Sequence, residues 1–516
     1  MNRKLEIRAY PFLFAAYPVL ALLAANADQV RLDAVVRPLL FSWLLCTVVY
    51  ALLAVILRHP ERSAALTSWW LLLFFAYGHV YNALQEVTLL GESLGRHRYL
   101  GVAWLVLAVL GAAWILRRNA WGRSARILNV TLAIAVILPI LQVGFYLIQT
   151  GLLSASSPSS PTLPEGQVLR AAPGQELPDI YYIILDGYGR RDTLDQVYHF
   201  DNTEFLAGLR RLGFVLAECS QSNYAQTELS IASSTNLQYL DALGDSFRPG
   251  TDNRLPLRPL IGSSAVRRSL ETLGYRTVAF DTGYTFINLQ DADLYLSPRL
   301  GNGLAGFELL FLRSTAGLIV LDSATLLPRL LTPALDHPQD EHRERVLYAF
   351  DELERLGGEP GPKYVYAHIV SPHDPFVFGA GGEPLNSPPV TSVVGGEWEQ
   401  QAYADQARYI SQRALTMLEK LIAGSTRPLV ILLQADHGPG WNSDAGRMAI
   451  LNAYRFPGAE QAISPGISPV NSFRVVFNSL FGTSFSLLPD VSYFSIYPAP
   501  FDFTLVPPSC PPQVTP

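Results

Sequence analysis

The apolar residues of this 516-residue chain crowd into its first 150 positions, and that asymmetry constrains the fold more than any other feature. Five runs there (10–26, 36–57, 66–84, 99–116 and 127–148) are long enough to cross a bilayer and carry few or no charges. A water-soluble core has no use for five such runs in succession. The first reads as a retained span rather than a cleaved leader, since four more follow it.

Basic residues between the runs are unevenly shared. Arg3, Lys4 and Arg8 precede the first, Arg58 and Arg62 follow the second, and Arg117, Arg118, Arg123 and Arg126 follow the fourth. The alternate connections hold only Arg31 and Arg37, then Arg96 and Arg98. The positive-inside bias predicts a multi-pass cell-membrane protein with a cytoplasmic amino terminus and an extracytoplasmic carboxyl-terminal part. Net charge is a mild −6 without a basic block, which argues against nucleic acid as a partner. Of three cysteines, Cys46 falls inside a run, so Cys219 and Cys510 form the only conceivable external pair.

Residues 154–178, SASSPSSPTLPEGQVLRAAPGQELP, are too rich in Ser, Pro and Gly to build a core and read as a linker over 151–178. Residues 179–185, DIYYIIL, then read as a buried strand ended by Asp186-Gly187. Helix-like and strand-like segments alternate from there: helices at 203–213, 265–274, 402–422 and 470–480, strands at 276–280, 363–370 and 428–434. That alternation predicts an α/β sandwich with a mainly parallel sheet over 179–516.

In open parallel sheets ligands gather beyond the carboxyl ends of the strands. Three predicted strand ends carry acid/base or metal-binding residues: Asp186, then His373-Asp374 after KYVYAHIV, then Asp436-His437 within LLQADHGPG. Carboxylates and imidazoles on one rim suit a divalent ion. An Asp-His pair alone is more often a solvated carboxylate beside a core histidine, and only the convergence of three strand ends raises it. A nucleophile is offered by Thr227 in SNYAQTELSIASSTN, where a polar loop runs into a helix-like segment whose amino terminus favours an alkoxide or phosphate oxygen. The plainer reading of Thr227 is a helix cap, with Ser222 and Ser230 the next hydroxyls.

The order Asp186, Thr227, His373 in SPHDPF, then Asp436-His437-Gly438 resembles the alkaline phosphatase/sulfatase superfamily, and five spans before the domain resemble its lipoteichoic acid synthase branch. The resemblance covers about residues 179–482, carried by YYIILDGYGR, the Thr227 segment, HIVSPHDPF and LLQADHGPG. It implies five transmembrane helices followed by an α/β sandwich of the alkaline phosphatase/sulfatase type. It further implies that Asp186, Thr227, Asp436 and His437 ligate one divalent metal (Mn, Zn or Mg), with Thr227 also the nucleophile.

By the same resemblance, His373 contacts the substrate phosphoryl group or its leaving oxygen, or helps bind a second metal. Asn223, Tyr224 and Arg447 are weaker candidates for the pocket wall, each equally readable as scaffold, and His368 reads as a core histidine. Sulfatases of the superfamily draw their nucleophile from a C/S-x-P-x-R motif, and Cys219, followed by SQSN, does not fit it. Threonine points instead to phosphate esters, with a phospholipid or envelope glycan as the substrate class and the lipid bilayer as partner. Two other readings stay open: a catalytically inactive member that binds glycan or protein, and a transporter. Against the transporter, the apolar runs contain almost no acid or base apart from His79.

Overall fold

The structure, a computed structural model, describes residues 8–27, 30, 32–85, 87–89, 92–93, 95–118, 121–156, 163–298, 306–322, 338–385, 396–440 and 444–510. The chain divides into two compact units: Met1–Gly151 with Gly301–Pro338, and Leu152–Leu300 with Gln339–Pro516.

In the first unit the five apolar runs are helices: α1 (Tyr10–Ala25), α2 (Val36–Leu57), α3 (Pro60–Gln85), α4 (His97–Arg117) and α5 (Gly122–Ser156). Three segments are long and apolar enough to cross a membrane: Leu32–Leu57, His97–Arg117 and Arg123–Gln149. Helix α1 is apolar but has only 16 residues, and α3 has 26 with polar residues at both ends. Five membrane crossings are therefore not established by length and composition.

The second unit is a sheet between two helical layers. Its strands are β1 (Asp179–Leu185), β2 (Val215–Leu216), β3 (Arg276–Phe280), β4 (Leu294–Leu296), β5 (Lys363–Ile369), β6 (Leu429–Gln434) and β7 (Asn452–Arg455), in the order β2-β7-β6-β1-β5-β3-β4. β6, β1, β5, β3 and β4 run parallel, while β7 and β2 form an antiparallel edge. The mainly parallel sheet expected from the sequence is present.

β1 is buried along its whole length because both of its faces are covered, which is why DIYYIIL is continuously apolar rather than alternating. Successive side chains of a strand point to opposite faces. Tyr181, Ile183 and Leu185 enter one core with helices α9 (Pro338–Leu356) and α10 (Glu397–Gly424); Ile180, Tyr182 and Ile184 enter the other with α6 (Thr227–Thr235) and α11 (Pro469–Phe481). On α10 the buried residues Tyr403, Ala407, Ile410, Ala414, Met417 and Leu421 recur every three or four positions, the spacing of one helical face. Truncating Ile183 in the central strand would cost about 2–5 kcal/mol.

Two features of the organisation add to the sequence expectations. The linker expected over 151–178 is in part structured: α5 runs on to Ser156, and Leu163 and Leu169 are buried in the second core. Apolar leucines within a Pro/Ser-rich stretch found a place against α11, where the Arg170 N–H donates to the Phe481 carbonyl. Within 179–516, Gly301–Pro338 groups with the apolar helices. Cys219 and Cys510 are joined by a disulfide, tying the loop before α6 to the carboxyl-terminal tail.

Candidate metal centre

The three central strands deliver their functional residues to one rim. At the end of β1, the Asp186 N–H donates to the Ile369 carbonyl of β5, and the Asp186 carbonyl accepts the His373 N–H, both at 3.0 Å. Gly187 follows with φ +72°, a left-handed conformation that a side chain would strain, and its N–H donates to Asp436 Oδ1 at 3.1 Å. The Tyr403 hydroxyl of α10 donates to the Gly187 carbonyl at 2.9 Å and fixes the turn. Sequences far apart are thus clamped backbone to side chain before any ligand is considered.

Thr227 is the first residue of α6, after Gln226 in extended conformation, and the Gln226 amide is pinned by the carbonyl and hydroxyl of Ser495. Its Oγ1 lies 3.2 Å from His437 Nε2. The same nitrogen is 3.3 Å from Asp436 Oδ2 and 3.6 Å from Asp186 Oδ1. His437 Nδ1 lies 3.0 Å from the Gly438 carbonyl, which can only accept, so Nδ1 carries the proton and Nε2 presents a lone pair. Burial and the neighbouring Arg447 push the His437 imidazole down to about 4, against the pull of Asp436 and Asp186. At neutral pH it is uncharged.

These acceptors face one another. Asp186 Oδ1 and Asp436 Oδ2 are buried with no hydrogen-bond partner, and leaving such oxygens unsatisfied is costly. Ligands about 2.0–2.1 Å from a tetrahedral ion stand roughly 3.3 Å apart, matching the spacings around His437 Nε2. Two carboxylates, an imidazole and a hydroxyl fit a divalent cation by donor chemistry and by their orphaned atoms. Donor atoms of Asp186, His373 and His437 lie within 4.8 Å of one another, as do those of Asp186, His368 and Asp436, so Asp186 is common to both groups.

His373 sits beside this cluster, its ring 5.6 Å from that of His437 and its side chain 27% exposed. Nδ1 lies 3.0 Å from Asp374 Oδ1. Burial would lower its pKa, but Asp186 and Asp374 overcome that and raise it to about 10, so the imidazolium is the neutral-pH form. For Asp186, burial works upward, yet His373, His368 and His437 together hold its carboxyl well below the usual range. A pocket bounded by Gly187, Tyr198, Phe376, Glu399 and Tyr403 opens directly on His373.

Not every sequence candidate belongs here. Asn223 is buried with both ends of its amide in use: Nδ2 donates to Ser468 Oγ, Tyr239 Oη and the Val491 carbonyl, and Oδ1 accepts the Val470 N–H. It anchors α11 and has no capacity left for substrate. The Tyr224 ring is likewise packed against Tyr493 and Phe503. Ser222 and Ser230 are buried, and the Ser222 hydroxyl donates to the Asp436 carbonyl, so both belong to the scaffold.

Arg447 is fully buried: Nε and Nη1 donate to the Ala225 and Gly438 carbonyls, and Nη2 lies 2.9 Å from His437 Nε2. It touches a candidate ligand rather than lining the pocket wall. Sequence reasoning undervalued His368, whose Nε2 lies 3.0 Å from Asp186 Oδ2. Its position one residue before the end of β5, in register with Ile184, was the available signal.

No family model matches the chain, and no curated protein does. Among solved structures, the chain is similar to the integral membrane protein lipooligosaccharide phosphoethanolamine transferase A of Neisseria meningitidis (TM-score 0.40, 14% identity, 92% of this chain and 94% of that one). It is also similar to the C-terminal periplasmic domain of EcEptC from Escherichia coli in complex with Zn (0.39, 12%, 62% and 87%). A third is the phosphonate monoester hydrolase of Agrobacterium radiobacter (0.36, 12%, 62% and 80%). At TM-scores this low the likeness itself decides neither activity nor substrate.

Proposed function

We propose that this chain is a membrane-anchored, metal-dependent phosphoester hydrolase or phosphotransferase with Thr227 as nucleophile, acting on lipid head groups or envelope glycans. One observation carries the reading: the Thr227 hydroxyl and two buried carboxylate oxygens without a hydrogen-bond partner all lie within 3.6 Å of the unprotonated His437 Nε2. Asp186, Thr227, Asp436 and His437 would hold the metal. A divalent ion bound there would supply Lewis acidity toward the hydroxyl and the phosphoryl oxygens.

The chain's own groups account for the rest. Thr227 Oγ, its hydroxyl proton first released to solvent, forms a bond to phosphorus, the ester P–O bond breaks, and protonated His373 gives its proton to the departing oxygen; the second half returns Oγ in the same deprotonated state. Thr227 then carries the phosphoryl group. In the second half an acceptor hydroxyl attacks phosphorus, its proton passes to His373, and the bond to Thr227 Oγ breaks. Water as acceptor gives hydrolysis; a lipid or glycan hydroxyl gives transfer.

The pocket opening on His373 supports placement of the leaving group on that side. With α1 and α3 counted as spans beside the three segments long and apolar enough to cross, the chain crosses the membrane five times. The charge distribution then sets the amino terminus in the cytoplasm and the Thr227 domain outside.

A second reading has one observation in its favour. Arg447 Nη2 lies 2.9 Å from His437 Nε2, so a guanidinium could supply the positive charge that the acceptors need, leaving an inactive fold that binds glycan or protein. The two readings separate on metal content and turnover of the full-length protein in detergent. Near-stoichiometric Zn or Mn, with cleavage of bis(p-nitrophenyl) phosphate lost in Thr227→Ala, supports the enzyme. Absence of both metal and turnover after Zn or Mn addition sinks it.

A further inference from the structure

We propose that Gly306–Asp322 is a membrane-embedded element whose outer face contacts lipid acyl chains, although its sequence lies inside the α/β half of the chain, between β4 and α9. It consists of two short helices, α7 (Gly306–Ser314) and α8 (Gly317–Asp322). Both belong to the compact unit of α1–α5.

The packing is specific. Phe307 and Phe311 are buried in a cluster with Ala15, Val19, Leu23, Cys46, Leu71 and Phe75, and the rings of Phe75 and Phe311 are 6.1 Å apart. The Ala316 N–H donates to the Phe74 carbonyl at 2.7 Å, a backbone bond made in the middle of the α3 apolar run. One turn along, Gly78 leaves room for the Arg313 carbonyl, where a methyl group would collide with it. Glu308, 5% exposed, is paired with Arg37 at the start of α2 at 3.1 Å, so its charge is compensated.

Phe74 lies 11 residues before Gln85, hence about 16 Å along the helix from that end of α3, roughly half of a ~30 Å hydrocarbon core. Two short helices held at that depth meet hydrocarbon, not water, on any face the spans do not cover. That face is apolar: Leu310, Ile319 and Val320 are 43%, 37% and 48% exposed. It continues the apolar exterior of α2, on which α7 packs and where Leu40, Leu44 and Val48 are exposed. The few charges of the element stand near its turns: Glu308 is paired with Arg37, and Arg313 and Asp322 lie at the helix ends.

The inference rests on reading α1–α5 as spans. Leu310→Cys and Val320→Cys of the full-length protein would each be spin-labelled in phosphatidylethanolamine/phosphatidylglycerol liposomes, with Leu44→Cys and Leu487→Cys as membrane and aqueous references. Of the native cysteines, two are bonded and Cys46 is buried, so the introduced thiol takes the label. Relaxation by oxygen over a water-soluble nickel complex should match that at Leu44→Cys and exceed that at Leu487→Cys. Nickel-dominated relaxation at 310 and 320, with Leu44→Cys still oxygen-dominated, overturns the inference and leaves the spans intact. Nickel-dominated relaxation at Leu44→Cys overturns the spanning reading itself. Protection from both reagents with spin–spin broadening would mean a second copy covers the face, and also overturns the lipid assignment.

Discussion

Thr227 Oγ1 lies 3.2 Å from Nε2 of His437, joining the first residue of α6 to the end of β6 across 210 positions of sequence. The hydroxyl is therefore delivered by a helix amino terminus to a nitrogen whose other neighbours are two carboxylates and the Arg447 guanidinium. Thr227→Ala should lower phosphodiesterase turnover by at least about 10³-fold, the scale of losing a nucleophile. Its thermal midpoint should stay near that of the wild type, and Thr227→Ser should retain partial activity. Steady-state assays beside a melting curve check this; undiminished turnover in Thr227→Ala removes Thr227 from the role.

Asp436 Oδ2 and Asp186 Oδ1 are the oxygens that a cation would satisfy. Asp436→Asn should lose bound metal as measured by elemental analysis. In the wild type, Zn or Mn at 100 times its dissociation constant should stabilise the fold by about 2.7 kcal/mol. That increment should vanish in Asp436→Asn, and a full increment there would move the ion elsewhere.

His373 is held in its charged form by Asp186 and Asp374, against the effect of burial. As proton donor to the leaving oxygen it should matter more the poorer the leaving group. His373→Gln should cost about 10²–10⁴-fold on an alkyl phosphodiester and much less on a nitrophenyl ester. Metal content should hardly change. Equal losses on both substrates, with metal lost as well, would make His373 a ligand instead.

Opposite shifts at the two histidines give the metal-free protein a particular pH profile. His373 binds its proton more tightly folded than unfolded, so its stabilisation is complete below the ordinary value of 6.5 and is lost as pH rises toward about 10. His437 does the reverse: the unfolded state takes up the proton first, so stability falls as pH drops from 6.5 toward about 4. The two limbs meet near pH 6.5. Denaturation midpoints across that range should peak there, and His373→Gln should flatten the alkaline limb alone.

Much of this was readable because the physics was local. DIYYIIL reads as a strand covered on both faces, and the strand ends of a parallel sheet share a rim, which brings Asp186, His373 and His437 together. What failed depended on partners distant in sequence. Asn223 looked like a pocket residue, but Ser468, Val470 and Val491 use up its amide. His368 looked like core because it lies within an apolar strand, and nothing local shows that its ring meets Asp186. Leu163 and Leu169 were hidden in a stretch whose composition describes a linker. The Gly306–Asp322 helices carried an apolar signal too short to mark them as partners of α3.

The bond between Cys219 and Cys510 spans 291 positions, and one of its ends lies eight residues before Thr227. During synthesis the earlier cysteine has to wait, reduced, for a partner made 291 residues later. The loop leading into Thr227 thus receives its covalent tie only after all seven strands of the sheet have been made. A chain cut short ahead of Cys510 would leave Cys219 exposed as an unmated thiol, a chemical flag by which incomplete copies differ from finished ones.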